Sequence, residues 1–249
     1  MIEKDRQSMS NRPDTKRPDF DFPRPTPAQI AAFKGVTAAT AHEAQGRRGA
    51  LDSIIKPLRP GFRILGPAFP AQGQPGDNLT AHAAISFARP GDVIVYSAGG
   101  FVDGASFGDT MATAALARGL GGVVIDGAVR DAAELRKLDL PVFARGVSLR
   151  SRGDKARLGP LAQAVEVGGI RVEPGDLIIG DDDGVVVIPL ADLDEVARVS
   201  REKEAKEEEF RSRFRAGGAT TWDLFGAGIL AKSGYRLAFT ETGADIVPV

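Results

Sequence analysis

Apolar residues along this chain fall into short β-branched runs separated by glycine and proline, and between the runs lie segments with helical spacing. Val93-Ile94-Val95, Val123-Val124-Ile125 and Leu177-Ile178-Ile179 read as buried strands. Gly61 to Ala71 alternates well enough for a further strand. Pro-Gly-Asp occurs at 75–77, 90–92 and 174–176, and the last two copies each feed a β-branched run, as a turn before a strand does. Thr26-Pro27 opens a helix as N-cap and first-turn proline, with Gly35 as its stop. Thr37 to Gln45 predicts a second short helix, and Asp77-Asn78 caps a third that carries Leu79, Ala83, Ile85 and Phe87.

Residues 92–126 form a βαβ pattern: strand 92–96, a loop, a helix of about three turns from 109 that stops at Gly119, then the strand at 123–125. Such a crossover implies parallel strands, and ligands of open α/β sheets bind beyond the carboxyl ends of those strands. The loop 97–108 and the turn 126–131 both lie at that end. Asp183-Gly184 predicts a hairpin turn between strands 176–180 and 185–189. The charged stretch 191–214 predicts a long helix, and the Gly-rich tail 215–249 carries Trp222, Phe225, Ile229, Leu230 and Tyr235 as apolar anchors. These elements divide the chain into a polar, Pro-rich arm at 1–24, an α/β core at 25–190, and a C-terminal helix and tail at 191–249 that packs on a neighbouring subunit.

Composition narrows the chemistry. In 249 residues, 43% are hydrophobic, enough for a real core, and 32 basic against 33 acidic residues leave a net charge of −1. That balance gives no reason to expect nucleic acid or an anionic membrane as a partner. With no signal-peptide pattern and no long apolar span, a cytoplasmic location is expected. The absence of cysteine excludes disulfides, thiolate zinc sites and a cysteine nucleophile. His42 and His82 are the only histidines, so a metal would be held by oxygen, which favours Mg²⁺ or Mn²⁺. No phosphate loop, dinucleotide fingerprint or GxSxG elbow is present.

The informative stretch is Gly99 to Asp131. It brings Asp109, at the start of a helix, and Arg130-Asp131, at the end of a strand, to one edge of a sheet. Each has a bland reading. Asp131-Ala-Ala-Glu134 fits a capping box, and Asp109 could cap its own helix. Arg130, directly after a buried strand, needs an anionic partner; that could be a substrate carboxylate or a structural ion pair, including one with Asp109. The unpaired amides from Gly108 to Met111 could receive a carboxylate. Arg47-Arg48 between glycines reads as a solvated turn before an anion site, and Asp181-Asp182-Asp183 as a hairpin turn before a calcium loop. For His42 and Glu43 structural and functional roles are evenly balanced.

Taken together, DG-x-x-FGD at 103–109, GG-x-VIDG-x-VRD at 121–131, LPVFARG at 140–146, AHEAQGRRG at 41–49, PGDN at 75–78 and PGDLIIGDDDGVVVIP at 174–189 resemble the class II 4-hydroxy-4-methyl-2-oxoglutarate / 4-carboxy-4-hydroxy-2-oxoadipate aldolases. The superfamily includes the regulator of ribonuclease E activity A. The similarity spans about residues 30 to 235. It implies a β/β/α three-layer sandwich like the swivelling phosphohistidine domains, with a C-terminal helical arm, assembled as trimers or hexamers. It implies a metal held by Asp131, an enolate stabilised by Arg130, a pyruvyl carboxylate bound at Gly108, Asp109, Thr110 and Met111, and a water oriented by Asp109. A neighbouring subunit's acid completes the site, best matched by Glu207 with Glu204 as rival. The implied reaction is Mg²⁺- or Mn²⁺-dependent retro-aldol cleavage of a 4-hydroxy-2-oxo acid to pyruvate and an oxo acid, with oxaloacetate decarboxylation as a side activity. The alternatives are a ribonuclease-binding regulator, a non-catalytic 2-oxo-acid binding protein, or another metal-dependent lyase or hydratase on an oxo acid.

Overall fold

The computed structural model describes residues 19–151, 157–240 and 242–249. It divides into two compact units, one ending at Ala197 and one from Arg198 to Val249.

The first unit is a mixed α/β structure. Its elements are α1 (Pro27–Ala32), α2 (Ala38–Ala44), β1 (Lys56–Pro57), β2 (Ile64–Gln72), α3 (Leu79–Phe87), β3 (Val93–Ser97), β4 (Ala105–Phe107), α4 (Asp109–Ala117), β5 (Gly122–Val129), α5 (Ala132–Leu135), β6 (Val142–Val147), β7 (Val165–Val167), β8 (Ile170–Val172), β9 (Leu177–Asp181) and β10 (Gly184–Ile188). An eight-stranded sheet runs β1-β6-β5-β3-β2-β9-β10, with β4 added to β5. β2, β3, β5 and β6 are parallel neighbours, and β9, β10 and β1 join antiparallel. The predicted βαβ unit is therefore present. Its loop also holds β4, which the sequence pattern did not show: three residues are too few to reveal a period, and the strand exists because β5 offers it a partner.

Three buried clusters explain the layers. Phe69, Ile85, Tyr96, Met111, Ile125 and Leu135 pack the sheet against α3, α4 and α5. Ile55, Val95, Val124, Phe143, Val167 and Val172 pack it against the β7–β8 hairpin, also absent from the sequence reading. Phe33, Ala41, Ile179, Val186 and Leu193 join α1 and α2 to β9 and β10. With apolar partners on both sides, β3 and β5 are buried at every position, as continuous apolar runs require. β2 is buried from Gly66 to Ala71 as well, so the alternation expected there gives way to two-sided burial.

Residues 19–24, within the segment the sequence reads as an arm, lie on the core. Phe20 meets Phe69 and Phe87 edge-on, and Arg24 makes two 3.0 Å bonds to the buried carboxylate of Asp92. The β9–β10 turn is displaced by one residue from expectation: Asp181 pairs with Gly184, so Asp182-Asp183 form the two-residue loop. A 3₁₀ turn (Leu190–Asp192) leads into α6 (Leu193–Arg215). The first turn of α6 is not a detached arm, because Leu193, Val196 and Ala197 are buried in the third cluster.

In the second unit, the rest of α6 is followed by a π-helical turn (Trp222–Gly226), α7 (Ala227–Lys232) and a hairpin of β11 (Tyr235–Thr240) and β12 (Gly243–Pro248). The hairpin register pairs Tyr235 with Pro248, Leu237 with Ile246 and Phe239 with Ala244, which makes one face wholly apolar. No helix among the described residues is long and apolar enough to cross a membrane.

Candidate active site

β5 delivers Arg130 and Asp131 to the start of α4. The Arg130 amide donates to Phe107 O at 2.9 Å, which ties the end of β5 to β4. One residue beyond Phe107, Gly108 is the N-cap of α4 in an extended conformation (φ −155). Any residue can adopt that conformation, so glycine is required here by space. A Cβ would lie 2.8 Å from Asp131 Oδ2 and 3.3 Å from Arg130 Cγ. The helix start and the strand end are thus in direct contact, and Gly108, Asp109, Thr110, Met111, Arg130 and Asp131 line one cavity of about 270 Å³.

Asp131 does not form the capping box its sequence suggests. It is the N-cap of α5, but its side chain makes no cap hydrogen bond, and its backbone is left-handed (φ 56, ψ 37). Glu134, the other half of the expected box, pairs instead with Lys137 at 2.7 Å. A non-glycine residue in this region carries strain that packing must hold in place. The strain turns the Asp131 carboxylate back toward Arg130, whose Nε lies 3.3 Å from Oδ2. The ion-pair partner of Arg130 is thus its neighbour Asp131. Both side chains are open to solvent, at 52% and 39% exposure, so each can meet a ligand.

Asp109 is the first residue of α4, and Gly108 takes the cap position. Asp109 Oδ1 accepts from the amide and hydroxyl of Thr110, at 2.6 and 3.2 Å. Among the described residues the amides of Asp109 and Met111 are assigned no acceptor, as the first turn of a helix leaves them. Those N–H groups and the helix dipole make this end of the cavity receptive to a carboxylate.

Three further polar residues of the lining, Asn78, His82 and Ser151, have no site role in the sequence reading. Asn78, at the N-cap of α3, stands one turn before His82, and it belongs to the PGDN segment, so its i, i+4 partner is the available signal. The capping expected at Asp77-Asn78 is done by Asp77, whose Oδ1 accepts from Leu79 N at 2.7 Å. Asn78 Nδ2 instead approaches Met111 Sδ at 3.6 Å, and its Oδ1 is buried with no hydrogen-bond partner among the described residues.

His42 and the hairpin turn at Asp181 to Asp183 are tied by hydrogen bonds to backbone. His42 Nδ1 lies 2.8 Å from Arg48 O, inside the turn around Arg47 (φ 61). Asp181 accepts from the amides of Ala38 and Asp183, and Asp182 from that of Gly61, so two of the three carboxylates in this run are engaged by backbone. Glu204 and Glu207 belong to the second unit, where Glu207 pairs with Arg211 at 3.3 Å.

Among the described residues, no cluster of three acidic or histidine side chains is arranged to cage a metal. The cavity does fit a hard divalent ion of another kind. Asp131 presents a carboxylate released from capping, and Mg²⁺ keeps several waters and accepts a single protein carboxylate plus substrate oxygens.

Residues 35–187 match the model of a family described as RraA-like: Aldolase/RraA. A protein of Halalkalibacterium halodurans named "Putative 4-hydroxy-4-methyl-2-oxoglutarate aldolase" is 36% identical over 179 residues, 72% of this chain and 85% of its own length. Among solved structures, an uncharacterized protein from Pseudomonas syringae pv. tomato superposes with a TM-score of 0.70 at 30% identity, over 80% of this chain and 97% of that one. Streptomyces coelicolor RraAS2, described as an unusual member of the RNase ES inhibitor RraA protein family, gives 0.69 at 29% identity, over 77% and 99%. The matched segment contains every residue named in the cavity, and the chain belongs to the RraA-like, Aldolase/RraA family.

Proposed function

We propose that this protein is a divalent-metal-dependent aldolase that cleaves a 4-hydroxy-2-oxo diacid, such as 4-hydroxy-4-methyl-2-oxoglutarate or 4-carboxy-4-hydroxy-2-oxoadipate, to pyruvate and a second oxo acid. The observation that carries this reading is the uncapped carboxylate of Asp131, held beside Arg130 at the open amides of α4 in one cavity. The relative from Halalkalibacterium halodurans supports it by name.

In this reading the substrate carboxylate docks on the amides of Asp109 and Met111, where the helix dipole favours negative charge. Asp131, with water and substrate oxygens, would hold Mg²⁺ or Mn²⁺, which supplies Lewis-acid polarisation of the 2-oxo group. Asp109 orients a water that takes the 4-hydroxyl proton, assisted by Glu207 of a second copy of the chain. The C3–C4 bond then breaks. C4 becomes a carbonyl, and the electron pair passes to the three-carbon unit as an enolate. Arg130 faces the developing oxyanion, a contact worth about 3–4 kcal/mol for a well-aimed donor. Protonation at C3 gives pyruvate. Oxaloacetate would yield the same enolate by losing CO₂.

The test is pyruvate release from a panel of 4-hydroxy-2-oxo diacids and oxaloacetate, with Mg²⁺, with Mn²⁺ and after EDTA. Metal-dependent release abolished in Asp131→Ala is expected; release that survives chelation or that substitution refutes the reading. If sites are shared between copies, mixing inactive Asp131→Ala with inactive Glu207→Gln restores part of the activity, and no restoration excludes Glu207 as the second acid. The likeness to Streptomyces coelicolor RraAS2 favours a second reading, a protein-binding regulator. Capture of a ribonuclease by a protein with no lyase activity on the panel would select it.

A further inference from the structure

A closed ring of hydrogen bonds lies on the side of the sheet that faces the β7–β8 hairpin, and none of its members lines the cavity. Arg145 Nε donates to Asp126 Oδ1, and Arg145 Nη1 donates to Asp52 Oδ2 at 2.9 Å. The Asp52 amide donates to Gly168 O at 2.9 Å. The Gly168 amide returns to Asp126 Oδ2, also at 2.9 Å. Asp126 is nearly buried, at 9% side-chain exposure, and Arg145 is at 17%. Gly168 is fixed as glycine, because its φ is +55 and a Cβ would meet Asp52 N at 2.8 Å.

The ring sits on a fault in the ladder. β5 and β6 pair in step from Val123–Val142 to Ile125–Ala144, and again from Ala128–Gly146 to Val129–Val147. Asp126 and Gly127 therefore stand opposite Arg145 alone, a bulge of one extra residue. Every later residue of β5, and so Arg130 and Asp131, is displaced along β6 by one position, roughly 3.3 Å. The same bulge anchors the loop between β3 and β4. Asp126 O accepts from the amides of Ala98 and Gly100 at 3.2 and 3.1 Å, and a Cβ on Gly127 would come within 2.7 Å of the Ala98 methyl. The loop then leads into β4, whose Phe107 O holds the Arg130 amide.

We propose that the Asp126–Arg145–Asp52–Gly168 ring is the positioning device of the active site: it locks the bulge that sets how far Arg130 and Asp131 reach toward α4, and Arg145 is a positioning residue that never touches substrate. The inference rests on the aldolase reading for its kinetic consequence, but its structural consequence is measurable without it. A productive site tolerates about 0.5 Å of displacement, so a ladder free to slip by a residue is incompatible with it.

Arg145→Met, Arg145→Lys and Asp52→Asn test the proposal, with kcat and KM for pyruvate release, melting temperature and residue-resolved amide exchange as readouts. Arg145→Met is expected to lower kcat by about 10- to 100-fold while KM changes by less than about threefold, since carboxylate docking at α4 is untouched. Exchange is expected to quicken at Ala98, Gly100 and 128–131 and to stay unchanged elsewhere. Arg145→Lys, which keeps the charge but lacks the planar fork, is expected to recover part of kcat. Unchanged kcat, or exchange that quickens uniformly in proportion to lost stability, overturns the proposal. If Arg145→Met fails to fold, Asp52→Asn takes the charge off the more exposed leg alone and weakens it; a drop in kcat of about threefold at unchanged melting temperature supports the ring, and none refutes it. If the wild-type protein cleaves nothing on the panel, the aldolase reading falls by itself. The ring is then judged by exchange alone, where quickening confined to 98–100 and 128–131 upholds it and any other pattern overturns it.

Discussion

Gly108→Ala isolates the contact on which the proposed active site depends. The φ of −155 suits alanine, so the backbone bears no penalty. The new methyl would lie 2.8 Å from Asp131 Oδ2 and 3.3 Å from Arg130 Cγ. Non-bonded heavy atoms prefer about 3.5–4.0 Å, so the Asp131 carboxylate must retreat by about 0.7 Å and Arg130 by about 0.2 Å, roughly half an ångström averaged over the pair. A displacement of 1 Å can cost about 100-fold in rate, so half of that predicts about tenfold in kcat/KM. Tenfold corresponds to about 1.4 kcal/mol of transition-state stabilisation. Both displaced side chains are partly in solvent and can move without opening the core, so the melting temperature is expected to shift by less than about 2 °C. Gly66→Ala is the control. There the Cβ would sit 2.5 Å from Gly91 O, in the turn tied to Gly119 O, and 3.1 Å from Val93 Cγ2 on β3. That substitution is expected to cost about 1–3 kcal/mol of stability instead. The assay is pyruvate release beside a thermal melt for both variants. Full activity in Gly108→Ala, or an activity loss matched by a large drop in melting temperature, would refute the reasoning.

Further expectations concern strain, the N-terminal segment and acid. Asp131→Gly relieves the left-handed backbone, so it is expected to keep or raise the melting temperature while abolishing turnover; a lower melting temperature with retained activity would show that Asp131 is a structural cap. Arg24→Met strands the buried carboxylate of Asp92, which among the described residues retains only the Arg89 amide, and is expected to cost about 3 kcal/mol, seen as a melting temperature lower by about 6–10 °C; a neutral result would mean residues 19–24 are incidental to the core. Burial pushes the Asp176 carboxyl above the ordinary aspartate value, against the pull of the Glu173 and Leu190 amides. The folded state therefore holds the proton longer, so stability contributed at this position is greatest below the unfolded value of about 3.9 and falls as pH rises through the folded value. Asp176→Asn is expected to remove that decline from denaturant titrations across the acid window, and parallel profiles for the two proteins would contradict it.

The candidate site was legible because its parts are local. Arg130-Asp131 follow a continuous apolar run, and Asp109 follows a glycine at a helix start, so topology alone places them at one sheet edge. Capping was the stronger local reading of Asp131, and it failed because a left-handed backbone is imposed by packing, which no dipeptide signal records. Asn78 and Ser151 carry no such local signal: Asn78 meets Met111 across 33 residues of chain, and Ser151 reaches the cavity from beyond β6. β4, β7 and β8 have three residues each, below the length at which a period of two is visible, and they form by pairing with a neighbour. The sequence pattern shows only a glycine-rich tail where β11 and β12 form, because their apolar face appears only once the register pairs Leu237 with Ile246.

Local pattern in the chain is enough to give the parallel βαβ core and the arrival of a guanidinium and two carboxylates at one edge. These follow from side-chain type and local periodicity. Tertiary structure alone decided that Asp131 is freed from capping, that Gly108 touches it, that Arg24 is buried on Asp92, and that a ring on Arg145 holds a one-residue bulge in β5. Those features are contacts between distant segments. Their free energy depends on how neighbouring strands register and pack, which no single stretch of chain contains.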